Sequence, residues 1–166
     1  MIAIAQRSFG VLALVALVIA VATFAAVFTR RVPSWLSDAA LPTATAIAAV
    51  ATGGSLLLSE VANYTPCTLC WYQRIAMYPL VVVLGVAAAR GDREVWRMAV
   101  PLSAIGSAIA IWHVAIERNP ALGGACDPAA PCSIIWVREF GFLTLPTMAL
   151  IGFVAIAGLT LAARDR

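Results

Sequence analysis

The sequence predicts an all-α membrane protein that crosses the bilayer five times, and three observations carry that expectation. Hydrophobic residues make up 63% of the 166 and charged residues 11%, against roughly 45–50% and about 25% in a soluble domain. A globule of this size has too little interior to hide that much apolar surface, so lipid is the solvent. The apolar residues fall into five runs of span length, and most of the charges lie between or at the ends of the runs. All 11 basic residues are arginine, for a net charge of +3, and they serve first as topology signals. No arginine cluster with interleaved aromatics points to nucleic acid.

The first run, Ser8 to Phe28, is long enough for a span of about 20 residues. A cleaved signal peptide is the alternative. However, the apolar core exceeds the roughly 7–15 residues of a signal sequence, and Arg30-Arg31 follow it directly. An uncleaved helix with its N-terminus outside is the favoured reading. Arg30 to Pro42 reads as a polar connection, with two prolines and the interfacial Trp35. The second span runs from about Thr43 to Val61, with Ala46, Ala49, Gly53 and Gly54 offering small surfaces for close helix approach.

A short loop, Asn63 to Thr68, leads into the third span, from about Leu69 to Ala89, which contains Pro79 and its missing hydrogen bond. Arg90, Asp92, Arg93, Glu94 and Arg97 form the next connection, beside Trp96. The fourth span covers about Met98 to Ile116. Glu117 to Phe142 is the longest loop, rich in Gly and Pro, and the last span runs from roughly Leu143 to Ala163. Five spans put the termini on opposite sides. One side collects Arg30, Arg31, Arg90, Arg93, Arg97, Arg164 and Arg166, and the other only Arg7, Arg74, Arg118 and Arg138. The first side is therefore cytoplasmic.

Four cysteines fall as two close pairs in the outward loops, Cys67 with Cys70 and Cys126 with Cys132. Facing an oxidising compartment they can cycle as disulfides; in a reducing one they would serve better as metal ligands. Cys67-Thr68-Leu69-Cys70 has a spacing shared with zinc sites. Cys70 sits near the start of the third helix, where the helix dipole favours a thiolate. Arg74, four residues on, shares its face. An arginine inside a span either snorkels to headgroups or serves a function, and the second is favoured. Cys126-Asp127-Pro128-Ala129-Ala130-Pro131-Cys132 is a loop stiffened by two prolines. It reads as an exchanging disulfide or as a plain staple, with exchange favoured by the neighbouring pair. His113 lies about a turn before the fourth span's outer end with Glu117 on its face. On its own it reads more readily as a packing residue than as a functional one. Ile134, Ile135, Trp136, Phe140 and Phe142 around Arg138-Glu139 suggest an amphipathic segment in the interface, either an aromatic belt or a partner-docking element.

Cys67-Thr68-Leu69-Cys70-Trp71-Tyr72-Gln73-Arg74, the later outward pair, and Phe140-Gly141-Phe142-Leu143-Thr144-Leu145-Pro146 together resemble the DsbB family of disulfide bond formation proteins. The spacing is similar to its shorter, BdbC-like branch, over about Thr43 to Ala163. The resemblance implies a four-helix transmembrane bundle at residues 43–163. Residues 1–42 then supply an additional N-terminal helix and a cytoplasmic connection, and residues 164–166 a cytoplasmic tail. It further implies an enzyme of the bacterial cell (inner) membrane that reoxidises a DsbA-like extracytoplasmic thiol oxidoreductase. The electrons pass to a membrane quinone, ubiquinone or menaquinone, and no metal is required. Cys67 and Cys70 match the quinone-coupled pair, with Cys70 facing the ring. Arg74 matches the arginine that supports quinone reaction, and His113 falls where the family has a quinone-neighbouring histidine. Cys126 and Cys132 match the pair that meets the partner, with Cys126 the point of attack. Two features depart from the best-known branch: the added first span, and the short tether between Cys126 and Cys132, which restricts how far Cys132 reaches toward Cys67. The rivals are a metal-binding membrane protein using four thiolates, a stapled scaffold without activity, and a vitamin K epoxide reductase-like enzyme. In the last of these the loop cysteines precede the C-x-x-C, whereas here they follow it.

Overall fold

Backbone polar groups in lipid must be satisfied within their own segment, which makes the helix the only economical form for long apolar runs. The computed structural model describes residues 2–124 and 126–164, and its architecture follows that rule. Five helices account for the apolar runs: α1 (Ile2–Phe28), α2 (Ser34–Leu56), α3 (Thr68–Arg90), α4 (Trp96–Arg118) and α5 (Leu145–Arg164). Each is long and apolar enough to cross a membrane, α2 with its π-helical extension Leu57–Val61 and α4 with the preceding turn from Arg93. Arg166, counted above with the cytoplasmic arginines, lies outside the described residues together with Asp165.

Helices α2, α3, α4 and α5 pack in a closed ring, each against the next and α5 back against α2, and α1 lies along α5. The expected four-helix bundle with one added helix is what forms. Because α5 touches α1, α2 and α4, it is the most buried of the five. Between helices in lipid, association depends on close packing rather than escape from water, so small residues sit at the contacts. Gly158 of α5 takes Thr23 and Phe24 of α1 against its bare Cα, and Gly54 of α2 takes the Phe9 ring. Gly106 of α4 receives the fully buried Phe153 ring so closely that a Cβ there would overlap it. Leu80, Leu84, Ile156 and Leu159 complete the core.

Local signals set the ends. The Cys67 side chain caps α3 by accepting from the Cys70 N–H, which satisfies one of the unpaired donors of a helix start. Gly91 ends α3 with φ +66°, and the Asp92 N–H returns to the Ala87 carbonyl, a left-handed stop that a residue without Cβ adopts most readily. At this end of the molecule the Arg93 guanidinium donates to Ser37 Oγ and the Ala163 carbonyl and pairs with Asp38, tying α2, the 93–95 turn and α5 together. At the opposite end Gln6 of α1 donates to the Tyr64 hydroxyl. The start of α1 therefore lies at the end that carries the cysteines.

One expectation needs correction. The prolines at 33 and 42 make residues 34–42 look like a polar connection, yet α2 begins at Ser34. Pro33 is its N-cap. Pro42 is absorbed within the helix, where Ala40, Leu41 and Ala44 are buried against the bundle and outweigh the missing hydrogen bond. The amphipathic segment from Ile134 to Phe142, whose backbone form the sequence leaves open, is irregular and closes in a hairpin, β1 (Arg138–Glu139) with β2 (Leu143–Thr144). Its turn places Phe140 at φ +52° and Gly141 at φ +81°. That left-handed pair of residues breaks any helical continuation. The hairpin delivers Thr144 and Pro146 to the start of α5.

The Gly106–Phe153 contact yields a stability prediction. Gly106→Leu should lower stability by about 1–3 kcal/mol, since an overpacked core must shift. The measurement is reversible unfolding in detergent, and an unchanged midpoint would contradict the packing described.

Candidate functional site

The site is assembled at the end of the bundle where α3 and α5 begin and α4 ends. Cys67, fixed by its capping role, is buried, and its Sγ lies 3.1 Å from the Cys70 Sγ as a pair of free thiols. Cys126 and Cys132 are joined in a disulfide. Ala125, just before it, lies outside the described residues. Cys132 is buried in one cluster with Cys67 and Ile116, with Cys70 and Cys126 packed at its margin. Despite the short tether to Cys126, Cys132 shares this buried cluster with Cys67. Cys126 is the less buried sulfur of its pair.

His113 lies between the two pairs. Its Nε2 is 3.1 Å from the Cys132 carbonyl and 3.7 Å from the Cys67 Sγ, and its Nδ1 is 3.1 Å from Gln73 Nε2. A carbonyl only accepts, so Nε2 must carry the proton, and the Gln73 amide then donates to Nδ1. Gln73 thus sets the tautomer that lets one imidazole N–H face both a Cys132 backbone oxygen and the Cys67 sulfur. His113, expected beside a cofactor, contacts the sulfur junction and does not line the large cavity described below. Burial and bundle position locate it there, one turn from the end of α4.

The thiol pair titrates as a unit. The Cys70 thiol, by donating to it, draws the Cys67 group down from an ordinary 9.0 to about 4; burial opposes the shift, and His113 and the Cys70 N–H reinforce it. A lowered value means the thiolate is favoured by the folded arrangement. This stabilisation is fully present above the ordinary thiol range and is lost as pH falls toward about 4.

Arg74 is buried on α3, one turn beyond Cys70. Its Nε donates to Ser55 Oγ and its Nη2 to the Ser55 carbonyl, each at 3.0 Å, and its guanidinium lies 5.1 Å from the centre of the Trp71 ring. Among the described residues no carboxylate pairs with it and nothing accepts from Nη1. Cys70, Gln73 and Arg74 face an apolar cavity of about 340 Å³ bounded by α1, α2, α3 and α5. Tyr78, another turn along α3, lines the same cavity, and its buried hydroxyl has no partner. Sequence reasoning overlooked Gln73, Ser55 and Tyr78 as contributors. Tyr78 was legible in principle, because Cys70, Arg74 and Tyr78 recur at the four-residue spacing of one helix face. Ser55 came from another helix and carried no such signal.

Glu117, on the opposite side of the junction, accepts from the Thr144 hydroxyl at 2.7 Å. Cys67, Cys70 and His113 bring donor atoms within 4.8 Å of one another, the grouping a soft cation would use. Both imidazole nitrogens are already engaged, by Gln73 and by Cys132, and two of the four sulfurs are bonded to each other. With Cys126 and Cys132 bonded to each other, the four sulfurs are not all available as thiolates in this arrangement.

Two free thiols and a disulfide share one buried cluster at the end of a membrane-spanning bundle, an arrangement suited to thiol–disulfide exchange. The family described as disulfide bond formation protein DsbB matches residues 37–163, and the chain belongs to that family. A probable disulfide formation protein C of Bacillus cereus is 45% identical over 121 residues, 71% of this chain and 86% of that one. Disulfide bond formation protein C of Bacillus subtilis is 44% identical over 112 residues, 66% and 81% of the two chains. A probable disulfide formation protein of Metapseudomonas resinovorans is 39% identical over 123 residues, 72% and 85%. No solved structure gives a significant match.

The low Cys67 value predicts thiolate absorbance at neutral pH in protein reduced at this pair, fading only as pH falls toward about 4. A titration centred near the ordinary 9.0 would contradict the hydrogen-bonded pair.

Proposed function

We propose that this protein is a quinone-dependent thiol oxidoreductase of the bacterial cell membrane that reoxidises a DsbA-like extracytoplasmic partner. Residues 34–163 form the catalytic bundle, residues 1–33 an added helix and its connection, and residues 164–166 a cytoplasmic tail. Both cysteine pairs face outward, an orientation supported by the arginine distribution and by Gln6 of α1 lying at the cysteine end.

The cycle begins when a partner thiolate attacks Cys126 Sγ, breaking the Cys126–Cys132 bond and releasing Cys132 as a thiolate. The partner's second thiolate then attacks its own mixed-disulfide sulfur, leaving oxidised partner and a free Cys126. Cys132 next attacks Cys67 of a Cys67–Cys70 disulfide and frees Cys70. Cys126 closes back on Cys132 and releases Cys67. Two electrons and two protons have then moved from the partner to Cys67 and Cys70. A Cys126–Cys132 bond beside two free thiols is the expected product of that exchange. His113, through its Nε2–H, holds the Cys132 backbone against Cys67 for the transfer.

The observation that carries the quinone assignment is the cavity. It is apolar, it contains Cys70 and Arg74 at its wall, and among the described residues nothing accepts from the Arg74 Nη1. A flat, apolar ring with carbonyl oxygens satisfies that set. A bound quinone supplies a two-electron, two-proton acceptor. Cys70 presents its sulfur to the cavity, and Arg74 supplies positive charge where negative charge develops. The apolar walls exclude water.

Cys70→Ser should leave the protein unable to reduce a quinone when given reduced partner, with quinone absorbance as the readout. Turnover at the unmodified rate would remove the central step. Arg74→Gln should raise KM for the quinone about tenfold or more, the expected consequence of losing a charged donor worth roughly 1.5–3 kcal/mol. An unchanged KM would leave Arg74 with a structural role only.

A further inference from the structure

The DsbB family model matches residues 37–163, so α1 lies outside it. The structure nevertheless builds α1 into the site. Along α1, Phe9, Leu12, Ala13, Ala16 and Ile19 line the same cavity as Cys70 and Arg74. Phe9 is seated on Gly54 of α2 at the cysteine end, and Thr23 and Phe24 are seated on Gly158 of α5 farther along. Between those anchors α1 packs along α5, where Ala13, Ala16 and Ala20 join Ile151 and Ala155. The small α1 residues Ala13 and Ala16 leave space where larger ones would fill it. From Phe9 to Ile19 this wall is about 15 Å long, at about 1.5 Å per residue. Nearly all of it is apolar, in contrast to the polar groups near Cys70.

We infer that α1 forms one wall of a channel for the polyprenyl tail of the quinone and sets the enzyme's preference for tail length. The inference rests on the quinone reading above and extends it to a helix that reading does not need. The occupant follows from continuity: the α1 wall, Cys70 and Arg74 line one cavity, so the tail of a ligand whose head lies at Cys70 runs along α1. Filling the channel from the α1 side should penalise quinones with long tails and spare those with one isoprene unit.

The test uses the full chain in nanodiscs, with a purified reduced DsbA-type protein as electron donor and quinones carrying either one or several isoprene units. Ala16→Phe should lower the ratio of long-tail to short-tail kcat/KM at least fivefold. Leu12→Trp, at a half-exposed position on the channel margin where folding is not at stake, should lower the same ratio. Val18→Trp, on the exposed lipid-facing side of α1, should leave it unchanged. A merely structural defect would depress both quinones alike, and an unchanged ratio or equal depression in both channel variants overturns the inference. Loss of co-purifying phospholipid in the variants without any change in the ratio would assign the channel to a lipid acyl chain and also overturn it. If the unmodified protein reduces neither quinone, the underlying quinone reading falls and takes this inference with it. If it reduces both and only the ratio test fails, the quinone reading stands without α1.

Discussion

A guanidinium buried in a lipid-embedded bundle is costly unless its donors are met, and much of this structure is arranged around meeting those of Arg74 in part. Ser55 takes two of the donors from across the α2–α3 contact, and the Trp71 ring lies against the plane of the charge. The bonds to Ser55 pin α2 to α3 one turn below Cys70. What remains unmatched, the Nη1 group and the positive charge itself, lies at an apolar cavity. A site with no carboxylate partner keeps its field available for charge that appears during a reaction. A paired arginine would have spent that field on its counter-ion.

The sulfur chemistry is organised from the other side of α3. Cys67 caps the helix, accepts from the Cys70 thiol, and faces the N–H of His113, so every polar contact on that sulfur favours its anionic form. The imidazole also binds the backbone of Cys132, which couples the position of one cysteine pair to that of the other. Gln73 fixes the imidazole from behind while lining the cavity. One turn of helix, from Cys70 to Arg74, thus lies between the cluster that holds the Cys126–Cys132 disulfide and the apolar cavity.

Much of this was legible in the sequence because membrane helices are written in composition. Spans three to five were located within a few residues, since lipid forbids irregular backbone there. The start of α2 was misplaced because Pro42 is a breaker in an isolated segment, and the burial of Ala40 and Ala44 that overrides it is a tertiary property. The hairpin at Phe140-Gly141 was missed for a similar reason: its aromatic pattern describes an interface equally well in helix or turn. The sulfur pairs and Arg74 were found through local spacing. The tautomer-setting role of Gln73 and the donor role of Ser55 depend on contacts 40 and 19 residues apart in sequence, which no local pattern encodes. The path of α1 along α5 was equally invisible, because small residues announce close packing without naming the partner.

The most direct test of the account follows sulfur and quinone together in a single turnover. Protein reduced only at Cys67 and Cys70 is mixed with one equivalent of quinone in lipid nanodiscs, and free thiols are counted as quinone absorbance decays. The account predicts that two thiols disappear for each quinone reduced and that Cys67–Cys70 is the new bond found by mass spectrometry. Quinone reduction with both thiols still free, or oxidised thiols with the quinone untouched, would contradict it.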